Sequence, residues 1–333
     1  TTSTIGMVKS FGALIAQLLS SIHHTNHVWV PIIVAFIVIK LVFQRRFRRR
    51  WGKLIGRLTA LGVAVYLLIF ALIWVQQPRL LYKPSHVLQT TPASHNLNYE
   101  EVWIPANAQS QEHLHSWWLP KEKNRMGTLI YFHGAGLNIG YNVTQVHWLR
   151  QLGFDVLLVE YRGYGLSEGG FPTEQSFYED AEAALTYVTQ ERGIATDEIL
   201  VYGHSLGGAI AIDLATKHPD LAGIIVQNSF TSMAEMVARS TYARWFPVQA
   251  ILHQRFESIQ KVRQLQTPIL LIHTTGDPMI PSHMSQRLYK AAHTPKELIL
   301  VKSNVHHNAG AEFKTTEHLN KVKTFAIKAL SAT

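Results

Sequence analysis

A glycine-flanked serine, Gly203-His204-Ser205-Leu206-Gly207, constrains this chain more than any other feature of its sequence. The motif follows the apolar run 199–202 and precedes a helical pattern over 208–217. Between a strand and a helix, G-x-S-x-G places a serine on a turn so tight that a side chain at either glycine would collide with its surroundings. Ser205 is therefore predicted to be a nucleophile at a helix N-terminus, where the helix dipole favours developing negative charge.

The basic charge of the chain is confined to its first third. Residues 1–99 hold eleven of the 31 Lys and Arg residues and no Asp or Glu, so the remainder holds 20 bases against all 22 acids. The net charge of +9 thus belongs to the N-terminal segment, and no nucleic-acid partner is expected for the rest. Cysteine is absent, which excludes disulfides, a thiol nucleophile and lipid attachment through Cys.

Two apolar runs predict membrane-spanning helices within residues 28–75. Residues 58–75 carry no charge over eighteen positions, and the shorter run 28–43 carries only Lys40 near its end. The segment between them, 44–57, is strongly basic, and the positive-inside rule places so short a basic loop in the cytoplasm. Everything after the second run is therefore expected on the non-cytoplasmic side, periplasmic or lumenal or extracellular. A single span formed by the second run alone is an alternative with the same consequence.

The segments that flank these runs predict further contact with the bilayer. Apolar residues at helical spacing over 1–27 predict an amphipathic helix lying in the membrane interface. Residues 76–96 contain three prolines and are predicted to be an extended linker. The expected partners are the lipid bilayer and, at the basic loop, anionic lipids.

From residue 97 onward, apolar runs alternate with helical patterns. Eight strands are expected at 97–104, 112–119, 128–132, 156–160, 198–202, 223–226, 269–272 and 298–301, and helices near 143–152, 174–192, 206–218, 283–293 and 312–330. The alternation predicts an α/β domain over 97–333 with an eight-stranded, mostly parallel sheet covered by helices on both faces. Ligands bind such sheets at the carboxyl ends of the strands.

Chemically active residues follow several of these strands directly. Ser205 follows the fifth, Asp277 the seventh, and His306-His307-Asn308 the eighth, in the chain order Ser, Asp, His. After the third strand comes His133-Gly134-Ala135-Gly136, a turn able to aim a backbone N–H at a carbonyl oxygen. The pattern predicts acyl transfer by an activated serine, with no metal and no cofactor.

At this point the domain resembles an α/β-hydrolase, in particular the membrane-anchored branch with the Bem-like proteins and the human α/β-hydrolase-domain depalmitoylases. The motifs that carry the resemblance are Phe132-His133-Gly134, Tyr161 to Gly169, Gly203 to Gly208, Asn228 to Ser232 and Gly276 to Pro281. Three features depart from that pattern. Family members usually have Asn at the position of Ala135 and Gly at that of His306, and the depalmitoylases usually carry N-terminal cysteines.

The resemblance implies a role for each site residue. It assigns the base to His307, because Asn usually follows the catalytic histidine and Asn308 follows His307; His306 is the alternative by adjacency. Asp277 is expected to orient the imidazole. The expected oxyanion donors are the N–H groups of Ala135 and Leu206. The residues expected to border the pocket are His133, Gly134, Tyr164 and His306.

These expectations describe a membrane-anchored serine hydrolase that cleaves acyl esters or thioesters, a lipase-like or thioesterase activity. An aminopeptidase or amidase on the same fold would use the same catalytic residues. A non-catalytic membrane scaffold with a hydrolase shell is the third possibility, against which the complete Ser, Asp and His set argues.

Overall fold

A computed structural model describes residues 33–34, 51–107, 111–121, 123–241, 243–306 and 316–331. The chain divides into two compact units, residues 1–71 and 72–333. The predicted interfacial helix over 1–27 and all but two residues of the first apolar run lie outside the described part. Those two, Ile33 and Val34, are helical.

Helix α1 (Trp51–Leu81) contains the whole second apolar run. Among the described residues it is the one helix long and apolar enough to cross a membrane. Its apolar side chains are exposed along its length, as for Leu61 (61%) and Val75 (69%), which is the distribution expected of a helix surrounded by lipid.

The helix is longer than the sequence predicts at both ends. Its described part includes Trp51, inside the predicted basic loop 44–57, and it continues through Pro78 to Leu81 rather than giving way to an extended linker at residue 76. Residues 83–84 then form a strand and 92–95 a short 3₁₀ helix. The linker prediction is therefore corrected, and the second unit begins at Leu72 rather than at residue 97. Pro78 has no N–H to donate to the carbonyl of Trp74, four residues earlier, and that carbonyl is instead hydrogen-bonded to Nε2 of His253 at 2.9 Å.

The second unit is built on an eight-stranded sheet in the spatial order β10-β9-β8-β7-β4-β6-β3-β2. Its strands are β2 (Glu100–Pro105), β3 (His113–Leu119), β4 (Gly127–Phe132), β6 (Phe154–Val159), β7 (Ile199–His204), β8 (Gly223–Gln227), β9 (Ile269–Thr274) and β10 (Lys296–Val301). Strand β3 is antiparallel to both of its neighbours, and all other neighbouring pairs are parallel. All eight predicted strands are confirmed. A separate parallel pair joins β1 (Lys83–Pro84) to β5 (Gly136–Leu137).

Helices cover both faces of this sheet. They are α2 (Val143–Leu152), α3 (Glu174–Thr186), α4 (Leu206–Lys217), α5 (Met233–Ala238), α6 (Val248–Ile251), α7 (Ser258–Lys261), α8 (His283–Ala291) and α9 (Thr316–Ser331). Alternate residues of β4 enter different clusters: Ile130 and Phe132 join one buried core, Leu129 and Tyr131 the other. This alternation is typical of a sheet buried on both sides.

In the described residues of the segment between β8 and β9, the structure has the short helices α5, α6 and α7 and one 3₁₀ turn, Ala243–Trp245. Trp245 in this segment is 63% exposed.

Candidate active site

Ser205 lies on a strained turn between β7 and α4. Its φ of 54° is in the left-handed region that side chains other than glycine rarely adopt. Glycines make the turn possible: a Cβ at Gly203 would collide with the backbone of Gly207, and one at Gly207 with the carbonyl of Phe132. The steric prediction for this motif is therefore confirmed, and α4 begins directly after Ser205.

A hydrogen-bonded relay joins Ser205 to a histidine and a carboxylate. The Oγ of Ser205 lies 3.0 Å from Nε2 of His306, and Nδ1 of His306 lies 2.6 Å from Oδ2 of Asp277. With Nδ1–H donating to the carboxylate, Nε2 is free to accept the serine proton. The side chains of His306 and Asp277 are buried, which strengthens the electrostatic interaction between them.

The histidine of this relay is His306. The sequence prediction assigned the position to His307 and kept His306 as the alternative, so the assignment is corrected; His307 itself lies outside the described residues.

Asp277 is held in the form that the relay requires. Its Oδ1 accepts hydrogen bonds from the N–H groups of Met279 and Ile280, each at 2.8 Å. Burial raises the pKa of Asp277, but the hydrogen bonds from His306 and from these amides outweigh it, and the pKa lies below its ordinary value. The carboxylate is therefore ionised at neutral pH and able to stabilise a cationic imidazole.

Two further side chains position His306 through its backbone. The carbonyl of His306 accepts hydrogen bonds from Nε2 of His204 at 2.9 Å and from Nδ2 of Asn228 at 3.0 Å. Asn228 also accepts from the N–H of Thr274 at 3.0 Å, so it ties together the loops after β8, β9 and β10. Neither role was predicted. For Asn228, the signal in the sequence was the change from apolar to polar residues at the end of β8.

The turn after β4 lies beside the nucleophile. A Cβ placed at Gly134 would be 3.4 Å from Cβ of Ser205. In the described part of the chain, the N–H groups of Ala135 and Leu206 donate to no protein acceptor. Two such amides next to a serine are able to stabilise an oxyanion. No group of three or more His, Cys, Asp or Glu residues that could hold a metal ion occurs among the described residues.

Buried side chains hold the turn after β4 in place through hydrogen bonds. The hydroxyl of Tyr161 donates to the carbonyl of His133 at 2.8 Å, and that of Tyr164 donates to the carbonyl of Ala135 at 2.7 Å. The ring of His133 lies 2.8 Å from the buried carboxylate of Glu160 through Nε2. Tyr164 and His133 were predicted to border the pocket; both are fully buried, so they support the turn rather than face the substrate.

The strand that follows α1 also holds the turn. The N–H of Lys83 donates to the carbonyl of Ala135 at 2.9 Å, and the N–H of Ser85 donates to the carbonyl of Leu137 at 3.0 Å. Tyr164 shares the Ala135 carbonyl with Lys83. The segment predicted to be a linker is therefore part of the site's framework.

Sequence comparisons place the chain among known proteins. A family model described as serine aminopeptidase, S33, matches residues 123–260. The α/β hydrolase domain-containing protein WAV2 of Arabidopsis thaliana is 30% identical over 67% of this chain and 77% of its own length. Protein bem46 of Schizosaccharomyces pombe is 28% identical over 66% of this chain and 76% of its own.

Solved structures share the fold. An esterase of Pyrococcus furiosus superposes with a TM-score of 0.60 at 18% identity, over 74% of this chain and 99% of that one. An α/β hydrolase of Vibrio vulnificus gives 0.57 at 20% identity, over 70% of this chain and 82% of that one.

Proposed function

Because the chain belongs to the α/β-hydrolase family, we propose that it is a membrane-anchored serine hydrolase that cleaves acyl esters or thioesters. The relay from Ser205 through His306 to Asp277, with distances of 3.0 and 2.6 Å, is the observation that carries the proposal. Helix α1, with its exposed apolar side chains, supports the membrane anchor.

The reaction follows from the relay. Ser205 Oγ attacks the substrate carbonyl while its proton passes to Nε2 of His306, and the amides of Ala135 and Leu206 stabilise the oxyanion. Nε2 then gives the proton to the leaving alkoxide or thiolate as the bond to it breaks, leaving an acyl group on Ser205. Water, deprotonated by the same nitrogen, hydrolyses the acyl-enzyme and restores the serine.

An exposed apolar side chain close to the relay in sequence favours acyl substrates. Met279, two residues after Asp277, presents a half-exposed apolar side chain. An acyl chain delivered by the bilayer matches such a surface.

A fluorophosphonate probe tests the central step. It should label the full chain in isolated membranes and should fail to label Ser205→Ala. Equal labelling of the two proteins would refute the proposal.

An aminopeptidase or amidase activity is the second candidate, and the serine aminopeptidase description of the family model supports it. Its catalytic residues would be the same. Turnover of p-nitrophenyl acyl esters and acyl thioesters, compared with that of amino-acid anilides, separates the two: faster cleavage of the anilides would favour the aminopeptidase.

A further inference from the structure

A cavity of about 480 Å³ lies at the C-terminal end of α1, outside the Ser205 relay. Three basic side chains line one part of it: Arg79, Lys83 and His86. A glycine-containing loop lines another part, with Gly169, Gly170 and Phe171. We call these six residues the juxtamembrane pocket.

The charge of the pocket is positive and unbalanced. No carboxylate is among its described lining residues, and in the described part of the chain neither Arg79 nor Lys83 forms an ion pair. The guanidinium of Arg79 lies 5.7 Å from the centre of the Phe171 ring, and Nζ of Lys83 donates to the carbonyl of Arg79 at 2.9 Å. These contacts hold both side chains without neutralising them.

The carboxylates nearest the loop already have partners. Glu112, which approaches Gly169, lies 3.9 Å from a guanidinium nitrogen of Arg162, and Glu168 lies 3.0 Å from His113. Five other arginines in the described part of this unit form ion pairs with carboxylates, as Arg287 does with Glu235. Arg79 has no such partner among the described residues, so its charge is available to a group from outside the protein.

The glycine-containing loop of the pocket adds uncharged hydrogen-bond donors. In the described structure, the amides of Gly169 and Gly170 donate to no protein acceptor. Gly169 has a φ of 96°, a conformation that side chains rarely adopt. Backbone amides combined with a guanidinium are a common way to bind a phosphate group.

The position of Arg79 along α1 indicates where that phosphate comes from. Arg79 follows the apolar run by four residues, which is about 6 Å beyond Val75 along the axis at ~1.5 Å per residue. In a helix that spans the bilayer, this is the depth of the lipid headgroups.

We propose that the juxtamembrane pocket binds the phosphate of an anionic phospholipid headgroup. The proposal rests on the membrane anchoring of the proposed function, but not on the hydrolytic reaction. The proposal also places the lipid close to the turn at Ala135, because Lys83 belongs to the segment whose N–H groups donate to the carbonyls of that turn.

The test uses the full chain in a nonionic detergent, titrated with short-chain phosphatidylglycerol, short-chain phosphatidylcholine or inorganic phosphate. Native mass spectrometry measures binding. Arg79→Gln is compared with Arg244→Gln, because Arg244 is likewise an exposed arginine near an aromatic ring, 5.5 Å from the centre of Trp245, and lies outside the pocket. Both variants lose one positive charge, so the contribution of the basic loop is the same in each.

Phosphatidylglycerol should bind Arg79→Gln about tenfold more weakly than the unaltered chain, as expected for the loss of one charge-assisted pair, while Arg244→Gln should match the unaltered chain. Equal affinities of the two variants, or equal binding of phosphatidylcholine, would overturn the site. Inorganic phosphate binding as tightly as phosphatidylglycerol would overturn the lipid as its ligand.

Fluorophosphonate labelling of the same samples separates this proposal from the proposed function. Labelling of the Arg79→Gln variant would show that this variant is folded, so that its weaker binding of phosphatidylglycerol is due to the change in the pocket. Failure of every sample to label would refute the hydrolase and leave the lipid result standing.

Discussion

Ser205 holds a backbone conformation that costs on the order of 1–3 kcal/mol for a residue with a side chain. Neighbouring groups offset this cost. The N–H of Ser205 donates to the carbonyl of Gln227 at 2.9 Å, and the hydroxyl of Ser229 donates to the carbonyl of Ser205 at 2.8 Å. Both partners stand at or just after the end of β8, so hydrogen bonds to the neighbouring strand hold the nucleophile in its turn.

Replacement of the two adjacent histidines distinguishes their roles. His306→Ala removes the group that accepts the serine proton and should lower kcat by about 10³-fold or more with little change in KM. His307→Ala should keep most of the activity and serves as the control. Ester hydrolysis by the two purified variants gives the answer; a greater loss in His307→Ala would contradict the assignment.

The turn glycines are expected to tolerate no side chain. Gly207→Ala places a methyl group against the carbonyl of Phe132, in a contact that neither backbone can relieve without moving, so we expect a loss of about 1–3 kcal/mol in unfolding free energy. Gly170→Ala is the control, because a Cβ there meets nothing within 4 Å. Urea unfolding in detergent measures both. Equal stabilities would argue against the tight turn.

His273 makes stability depend on pH. It is buried beneath the Asp277 loop, where Nε2 donates to the carbonyl of Ile280 at 2.9 Å and Nδ1 accepts from Ser285 Oγ at 2.6 Å. Burial lowers the pKa of His273. Below about pH 6.5 the unfolded chain binds a proton that the folded chain does not, so this contribution to stability is complete above that pH and declines as the pH falls.

His273→Gln should therefore flatten the decline in stability between pH 7 and pH 5. A single group of this kind contributes a slope of at most about 1.4 kcal/mol per pH unit. Urea midpoints at several pH values measure the slope, and the exposed His293→Gln provides the comparison. An unchanged slope in His273→Gln would show that another group is responsible.

At the scale of elements, the end of α1 is fastened to the short segment between β8 and β9. The side-chain amide of Gln77, 3% exposed, donates to the carbonyl of Ile251 at 2.5 Å and accepts from the N–H of His253 at 2.9 Å. The ring of His253 also contacts the carbonyl of Trp74 at 2.9 Å. The last turns of the helix therefore belong to the second unit, residues 72–333, which we call the catalytic unit because it contains the relay from Ser205 to Asp277. For this reason residues 76–81 do not form a free linker.

Gln77→Ala should destabilise the catalytic unit by about 1–3 kcal/mol, because it leaves the buried carbonyl of Ile251 and the buried N–H of Gln254 without their partner. Gln76→Ala, at the neighbouring and more exposed position, should have little effect. Thermal unfolding of both variants in detergent makes the comparison. Equal midpoints would show that the Gln77 contacts contribute nothing measurable.

At the scale of the whole molecule, an apolar helix and a catalytic unit share one continuous chain, with no acidic residue before Glu100. The positive-inside rule predicts that the catalytic unit lies on the non-cytoplasmic side of the membrane, and this prediction can be tested. The absence of cysteine is useful here, because any single cysteine introduced is then the sole thiol of the chain.

In intact cells, a membrane-impermeant maleimide should label Asp220→Cys, on the exposed surface of the catalytic unit, and should not label Lys53→Cys in the basic segment. Detergent should make both reactive. The reverse pattern in intact cells would place the catalytic unit in the cytoplasm.

Much of the fold could be predicted from the sequence because its signals are local. A buried parallel strand is a short apolar run, and each of the eight predicted runs corresponds to a strand. Strand order along the chain also brought Ser205 and Asp277 to the same edge of the sheet. Helix α1 could also be predicted from a local signal, because its apolar run alone indicated a helix.

The remaining features depend on contacts between residues distant in sequence. His306 and His307 are equivalent by position, and the choice between them is made by His204 and Asn228, which bind the His306 carbonyl from other loops. Residues 76–85 look like a linker until the Gln77 and Lys83 contacts are known. The sequence was sufficient to predict the sheet, the apolar helix α1 and the location of the serine, because apolar periodicity and glycine spacing are properties of neighbouring residues. The tertiary structure was needed to identify the histidine that is hydrogen-bonded to Ser205 and the segment that supports the turn beside it, because both depend on hydrogen bonds between residues distant in sequence.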